Sequence, residues 1–271
     1  MIKTLKNKLF ATLCVTALTL GAVTAASTFN SVQAADKTVY VDVEKNITGQ
    51  DPILAPKAVT IDDSKTVLDA TKQAAGSDNV ASVPSYYGNY VTAFKDNTAD
   101  FVYAYKDKIP VILYDTQKAY KQSIINDPTW LREKEYNGIS GWMFTVNNAG
   151  TYTDTNKATQ YYKGDTTLTN VPNGAVIRWE FSMASGADLG LDNAYLPTAA
   201  KADGYYDWNT SKYVAPFFPR ANKTDLITKL ATTAKPAIGT VNYTQYVNAE
   251  NALKNLTISQ DDVDDCVTAL H

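Results

Sequence analysis

Histidine is almost missing from this chain: the one His in 271 residues is His271, at the far end. A side chain there makes a poor oriented general base, which argues against Ser-His-Asp and Cys-His catalysis. His-ligated zinc and His-carboxylate iron sites go with them. Cysteine is nearly as scarce, with only Cys14 and Cys266. No excess of positive charge exists either. Lys plus Arg number 25 against 28 Asp plus Glu, which is not the footprint of a nucleic-acid binder, so no nucleic-acid partner is expected. The glycine patterns of Walker and Rossmann phosphate loops are absent, and no cofactor is expected. Beyond the N-terminal segment no long apolar run occurs, so no transmembrane segment is expected after that segment is removed.

That N-terminal segment is what the sequence states most clearly. Lys3, Lys6 and Lys8 stand in an acid-free stretch, residues 9–26 are apolar and small, and Val32-Gln33-Ala34 offers small residues at peptidase-read positions. A basic n-region, an apolar h-region and an A-x-A-like site read as a secretory signal over residues 1–34. Its removal takes Cys14 with it, leaves 22 basic against 28 acidic residues, and leaves Cys266 as the one thiol. The expected product is acidic, free of disulfides, and secreted or associated with a Gram-positive cell envelope.

The next segment reads as α+β. Residues 38–44 alternate Val39, Val41 and Val43 against Tyr40, Asp42 and Glu44, a half-buried strand. A second strand is expected at 58–61, then a helix at 65–75 capped by Asp62, Asp63 or Ser64 and closed by Gly76. Strands are expected at 86–91, 101–105 and 111–114, and a short helix at 116–125. Trp142, Phe144 and Val146 alternate with Met143, Thr145 and Asn147, and Ile177, Trp179, Phe181 and Met183 alternate with Arg178, Glu180 and Ser182. The turn signal Pro172-Asn173-Gly174 precedes the second of these strands.

Gly141-Trp142-Met143-Phe144-Thr145-Val146-Asn147, followed after a Gly-containing turn by Ala175-Val176-Ile177-Arg178-Trp179-Glu180-Phe181, resembles the transcobalamin-like C-terminal domain family. Asp62-Asp63-Ser64-Lys65-Thr66-Val67-Leu68-Asp69-Ala70 is similar to that family's capped helix, and Ala187-Asp188-Leu189-Gly190 to its trailing segment. The resemblance covers residues 37–190 and implies a β-grasp-like sheet with one main helix. It also implies a corrinoid or related tetrapyrrole as ligand. The chain departs from the family in having Asn147-Asn148 where Asn-Gly is usual, and in a longer segment over 97–136.

Residues 191–223 are rich in Tyr and Pro without a period and read as an irregular linker, made sticky by Trp208, Phe217 and Phe218. From residue 224 the period becomes helical. Leu226, Ile227, Leu230 and Ala234 form one stripe, Tyr246, Ala249 and Leu253 a second, and Val263, Cys266, Val267 and Leu270 a third behind a Ser259–Asp262 cap. This small all-α three-helix unit, 224–271, resembles FIVAR-type modules of surface proteins through Thr257-Ile258-Ser259-Gln260-Asp261-Asp262-Val263. The expected organisation is therefore a signal at 1–34, an α+β domain at 35–190, a linker at 191–223 and a helical unit at 224–271.

Cys266 reads as a core residue, with no cation within a turn to activate it. The run Asp261, Asp262, Asp264 and Asp265 lacks the spacing of a calcium loop and suits a helix N-terminus, so no metal is expected. No catalytic constellation is evident, and the chain is read as non-enzymatic. Eighteen Tyr and four Trp supply large contact area with few rotors. Trp142, Trp179, Phe144 and Phe181 read as sheet core, while Tyr86, Tyr87, Tyr90 and Tyr152 lie in loops or at strand ends and are the ligand-contact candidates. Trp142 is kept with them because it opens the family's signature strand. The expected function is that of an exported ligand-binding protein for a corrinoid-like or other flat ligand. The alternative is a structural or adhesive surface module with a cell-wall or surface partner.

Overall fold

In the computed structural model the alternating N-terminal segment forms strand β1, Asp36–Glu44, which turns back into β2, Leu54–Asp62. The description covers residues 35–85, 88–96, 127–136, 140–148, 163–183, 186–191, 205–207, 212–214 and 218–271. The expected signal, the strands at 101–105 and 111–114 and the helix at 116–125 lie outside these residues.

β2 extends beyond the expected 58–61, because Lys57 and Leu54 pair with Val41 and Val43 at one end and Asp62 with Asp36 at the other. Helix α1, Val67–Ala75, begins two residues later than expected. Asp62 is used in the preceding turn, where it accepts the Ser64 N–H at 2.7 Å. The cap is instead Thr66, whose hydroxyl accepts the Asp69 N–H at 3.1 Å while the Asp69 carboxylate accepts the Thr66 N–H at 2.9 Å. Gly76, at φ +91°, ends the helix where a side chain would be strained.

Strands β3, Val80–Ser85, β4, Gly88–Lys95, and β5, Trp130–Arg132, form a three-stranded antiparallel sheet. Residues 86–91 were expected to form one strand. Residues 88–91 fall in β4, and Tyr86 and Tyr87 lie outside the described residues. Strands β6, Gly141–Val146, and β7, Val176–Ser182, then complete the main sheet in the order β2-β1-β7-β6. The central pair β1–β7 is parallel and both outer pairs are antiparallel. With α1 crossing between the two hairpins this is an α+β, β-grasp-like arrangement into which β3–β5 are inserted.

One face of the main sheet carries Val39, Val41, Val43, Ile177, Trp179 and Phe181, all buried against Val67, Leu68 and Ala70 of α1 and Phe94 of β4. Phe94 meets Trp142 and Trp179 edge-on at centroid distances of 4.6 and 5.6 Å. Both indole N–H groups are satisfied inside: Trp142 donates to the Leu131 carbonyl at 3.0 Å and Trp179 to the Thr71 hydroxyl at 2.9 Å.

The other face is covered by the C-terminal helices α2, Thr224–Thr232, α3, Val241–Lys254, and α4, Gln260–Ala269. Thr240 and Ser259 cap α3 and α4 by accepting the N–H groups of Tyr243 and Asp262 at 3.2 and 3.1 Å. Leu226, Ile227, Leu230, Ala249, Leu253, Val263 and Leu270 cluster with Val176 of β7, and Tyr40 of β1 packs against them. The helical segment therefore does not stand apart from the sheet, and Ala35–His271 is one compact unit. Ala234 falls past the end of α2 and is exposed. Cys266 is half-buried, and burial together with Asp262 and Asp265 pushes its thiol pKa up.

One correction concerns the segment before α2. Tyr205–Asp207 and Lys212–Val214 pair as antiparallel strands β8 and β9 where an irregular linker was expected. Of the linker aromatics, Phe218 packs on the main core, while Trp208 and Phe217 lie outside the described residues.

Candidate functional site

The second face of the sheet was expected to be its polar, solvated side. It is buried. Asp42, Glu44, Arg178, Glu180 and Ser182 all lie at or below 3% exposure beneath the C-terminal helices. The register explains their neighbourhood. Parallel pairing sets Asp42 beside Arg178 and Glu44 beside Glu180, and β6 adds Thr145 on the far side of Arg178.

These groups form a layer of charge. The Arg178 guanidinium grips Glu44 with two parallel bonds, Nε to Oε1 at 2.7 Å and Nη2 to Oε2 at 2.9 Å, and reaches Glu180 at 3.0 Å. Arg220 approaches Glu180 from the other side with both terminal nitrogens, Nη1 at 3.0 Å. Its Nε donates to Asn148 Oδ1 at 2.8 Å. Asn148 is thus a fixed partner of the layer. It follows Asn147 in the left-handed region, φ +60° and +51°, where Asn is tolerated better than most residues. Gly190, at φ +69°, lets the chain pass close by Arg220. A Cβ there would lie 3.0 Å from both Arg220 Cβ and the Phe218 carbonyl oxygen.

Two further groups complete the layer. Lys223, just before α2, donates to the carbonyls of Leu253 and Asn255 at 2.7 Å each. Asn46 follows β1; its Nδ2 donates to the Glu44 carboxylate and to the same Leu253 carbonyl, the latter at 3.3 Å. Three kinds of buried oxygen stay without a hydrogen bond: both carboxyl oxygens of Asp42, Asn46 Oδ1 and the Thr145 hydroxyl.

The protonation states follow from these positions. Burial alone would raise the Glu44 pKa, but the Arg178 guanidinium overrides it and brings it down to about 2. Asp42 moves the other way. Burial raises its pKa well above the usual carboxyl range, and the charge on Glu44 adds to the shift. Burial, then the charge of Arg178, lowers Lys223 to about 7. At neutral pH Glu44 is ionised and Lys223 is near half-neutral, while the environment of Asp42 favours its uncharged form. The shifts of Asp42 and Lys223 both reduce the charge held in the low-dielectric layer.

The sequence-predicted contact residues fall elsewhere. Trp142 is 4% exposed and belongs to the aromatic core. Tyr90 is on the outer face of β4, directly opposite Val83 of β3, and these two are 40% and 47% exposed. Tyr86, Tyr87 and Tyr152 lie outside the described residues. Trp142 is thus core and Tyr90 surface, although the Tyr90 hydroxyl lies 3.8 Å from where a Cβ on Gly141 would sit. Two shallow clefts occur near polar side chains. One, of about 230 Å³, is lined by Asn46, Gly49, Gln50, Asn251, Lys254 and Asn255. The other, of about 400 Å³, lies along Asp36, Asp62, Lys65 and Asp69. Neither has an aromatic wall. Among the described residues no group of His, Cys, Asp and Glu is placed to hold a metal, and no helix is long and apolar enough to cross a membrane.

No family model matches the chain, and no curated protein or solved structure matches it.

Sequence reading missed the buried layer. The signal was present: Tyr40-x-Asp42-x-Glu44 and Arg178-x-Glu180-x-Ser182 set Asp42 opposite Arg178 on adjacent strands, with Glu44 and Glu180 paired beside them within reach of the same guanidinium. What the alternation could not give was the cover, because that comes from helices far along the chain.

Proposed function

We propose that this chain is an exported, non-catalytic contact module of the cell envelope that holds a protein or glycan through the outer face of the β3–β4 hairpin. The Val83–Tyr90 pair carries the reading. It places two large side chains, half exposed, directly opposite one another on neighbouring strands. Aromatic and aliphatic side chains on an exposed sheet face suit contact with an extended partner or a sugar ring more than enclosure of a small molecule. A corrinoid or tetrapyrrole, the ligand implied by the resemblance, needs a wide stacking wall. The aromatic-free clefts do not favour that occupant.

Co-sedimentation with isolated cell walls tests the proposal. The purified protein should pellet with walls, and the Val83→Ser, Tyr90→Ser double variant should lose about tenfold in apparent affinity, the scale of truncating a well-packed contact. Cobalamin, cobinamide and haem titrations, read by Trp fluorescence and visible absorbance, should give no saturable change. Protein that stays in the supernatant with wild-type hairpin residues would overturn the contact reading. A saturable corrinoid or haem signal would replace it with the carrier reading.

A further inference from the structure

The buried layer brings together an amine, a carboxamide and a carboxylate in an arrangement that no ion pair explains. Lys223 Nζ has carbonyl acceptors only, at Leu253 and Asn255. Asn46 Nδ2 shares the Leu253 carbonyl with it, so the two side chains meet at one oxygen. The other bond of Asn46 Nδ2 goes to Glu44, and Asn46 Oδ1 has no donor. All three side chains are at or below 4% exposure.

From this we infer that Lys223 and Asn46 condense into an intramolecular amide cross-link, with Glu44 as the proton carrier. A lysine is inert to an amide while it is an ammonium. In this layer burial and the neighbouring guanidinium of Arg178 bring Lys223 to about 7, so the neutral amine is well populated. Its lone pair attacks Asn46 Cγ, forming a new C–N bond and a tetrahedral carbon. Glu44, already on Nδ2, accepts the proton released by the attacking nitrogen and passes it to Nδ2. The Cγ–Nδ2 bond then breaks and ammonia leaves. One amine and one primary amide become one secondary amide and ammonia, with no oxidant, reductant or cofactor.

The surroundings favour the product. Asn46 and Lys223 are 4% and 3% exposed, which limits the access of water and slows hydrolysis. Asn46 and Asn255 also line the cleft beside α3, which gives ammonia an exit. The bond would tie the end of β1 to the segment that enters α2, on the face where the helices cover the sheet. It is independent of what the β3–β4 hairpin binds.

Intact-mass spectrometry of the purified folded protein decides. The expected mass is lower than that of the sequence by one ammonia, and a protease digest should contain one branched peptide joining the Asn46 and Lys223 segments. Lys223→Met, which keeps the buried stem, should restore the sequence mass and abolish the branched peptide. Glu44→Gln should leave the cross-link largely unformed although both reacting side chains remain. Should either variant fail to fold, the wild-type mass and digest are sufficient alone. A folded wild-type protein at full sequence mass overturns the inference. So does an ammonia deficit without that branched peptide.

Discussion

Replacing Arg178 with Met should cost the fold more than any surface ion pair could. The guanidinium makes two bonds to Glu44 and one to Glu180, all in a layer almost closed to water. Met keeps most of the stem volume and removes the charge. Glu180 keeps Arg220, but Glu44 is left with Asn46 and the distant charge of Lys223. Breaking a buried pair by deleting one partner costs about 3–5 kcal/mol, because the remaining charge stays desolvated. The pKa gives a second route to the same figure. Glu44 is held at about 2 against an ordinary 4.5, which corresponds to roughly 3 kcal/mol of favourable differential interaction. A depressed carboxyl pKa stabilises the fold above its unfolded value and loses that contribution as pH falls from 4.5 towards 2. Wild-type stability should therefore drop through that window.

In Arg178→Met the sign reverses. Glu44 would prefer to be protonated, so stability should be lost as pH rises above about 4.5, the ordinary value. Urea unfolding followed by Trp fluorescence at pH 4, 5.5 and 7.5 reads both effects. A deficit near 3–5 kcal/mol at pH 7.5, shrinking towards pH 4, is expected. A loss under about 1 kcal/mol at neutral pH, or one independent of pH, would refute the argument that Arg178 holds a buried carboxylate ionised.

Two further substitutions probe the same layer. Leu253→Asp places a carboxylate in the cluster shared by α3 and Val176 of β7, so the near-UV signal of Trp142 and Trp179 and the far-UV helical signal should fall together in one transition. A sheet signal that melts separately at its original temperature would show the helices to be an independent domain. Asp42→Asn should raise stability at pH 7. The Asp42 pKa is raised in the fold, so the wild type loses stability as pH climbs past the ordinary carboxyl value, and Asn removes that loss. The gain should vanish below about pH 4; a gain that persists there would mean Asp42 is not the group responsible.

The main sheet was legible because its strands alternate and one face of each is apolar: Val39, Val41 and Val43 against Ile177, Trp179 and Phe181. The helix stripes were legible for the same reason, and Leu226, Leu230 and Leu253 are buried as their spacing demands. Strand β3 was not legible. Val80-Ala81-Ser82-Val83-Pro84-Ser85 carries a proline and small polar residues, and its pairing comes from β4. The cap of α1 was misplaced by a run of four polar residues, Asp62 to Lys65, any of which resembles a cap until tertiary contacts assign Asp62 to the turn. Of the contact candidates, Tyr90 alone could be located at the surface. Trp142 shows why an aromatic at a strand start is ambiguous, since the same position faces either a ligand or a core.

The most consequential ambiguity is that of polar alternation itself. In β1 and β7 the residues opposite the valines are Asp, Glu and Arg, and one strand read alone places them in water. Read as a pair, the parallel register sets Asp42 against Arg178 and brings the like-charged Glu44 and Glu180 side by side within reach of that one guanidinium, a cluster that a solvated face has little need of. A sheet face meant for water gains little from fixed cross-strand pairs, because screening weakens each one. A face meant for burial requires them, since each unpaired charge there costs several kcal/mol. Complementary charges on neighbouring buried strands are therefore evidence of a missing cover. Here the cover is supplied by α2–α4, with Arg220 and Lys223 arriving on the segment that leads into them.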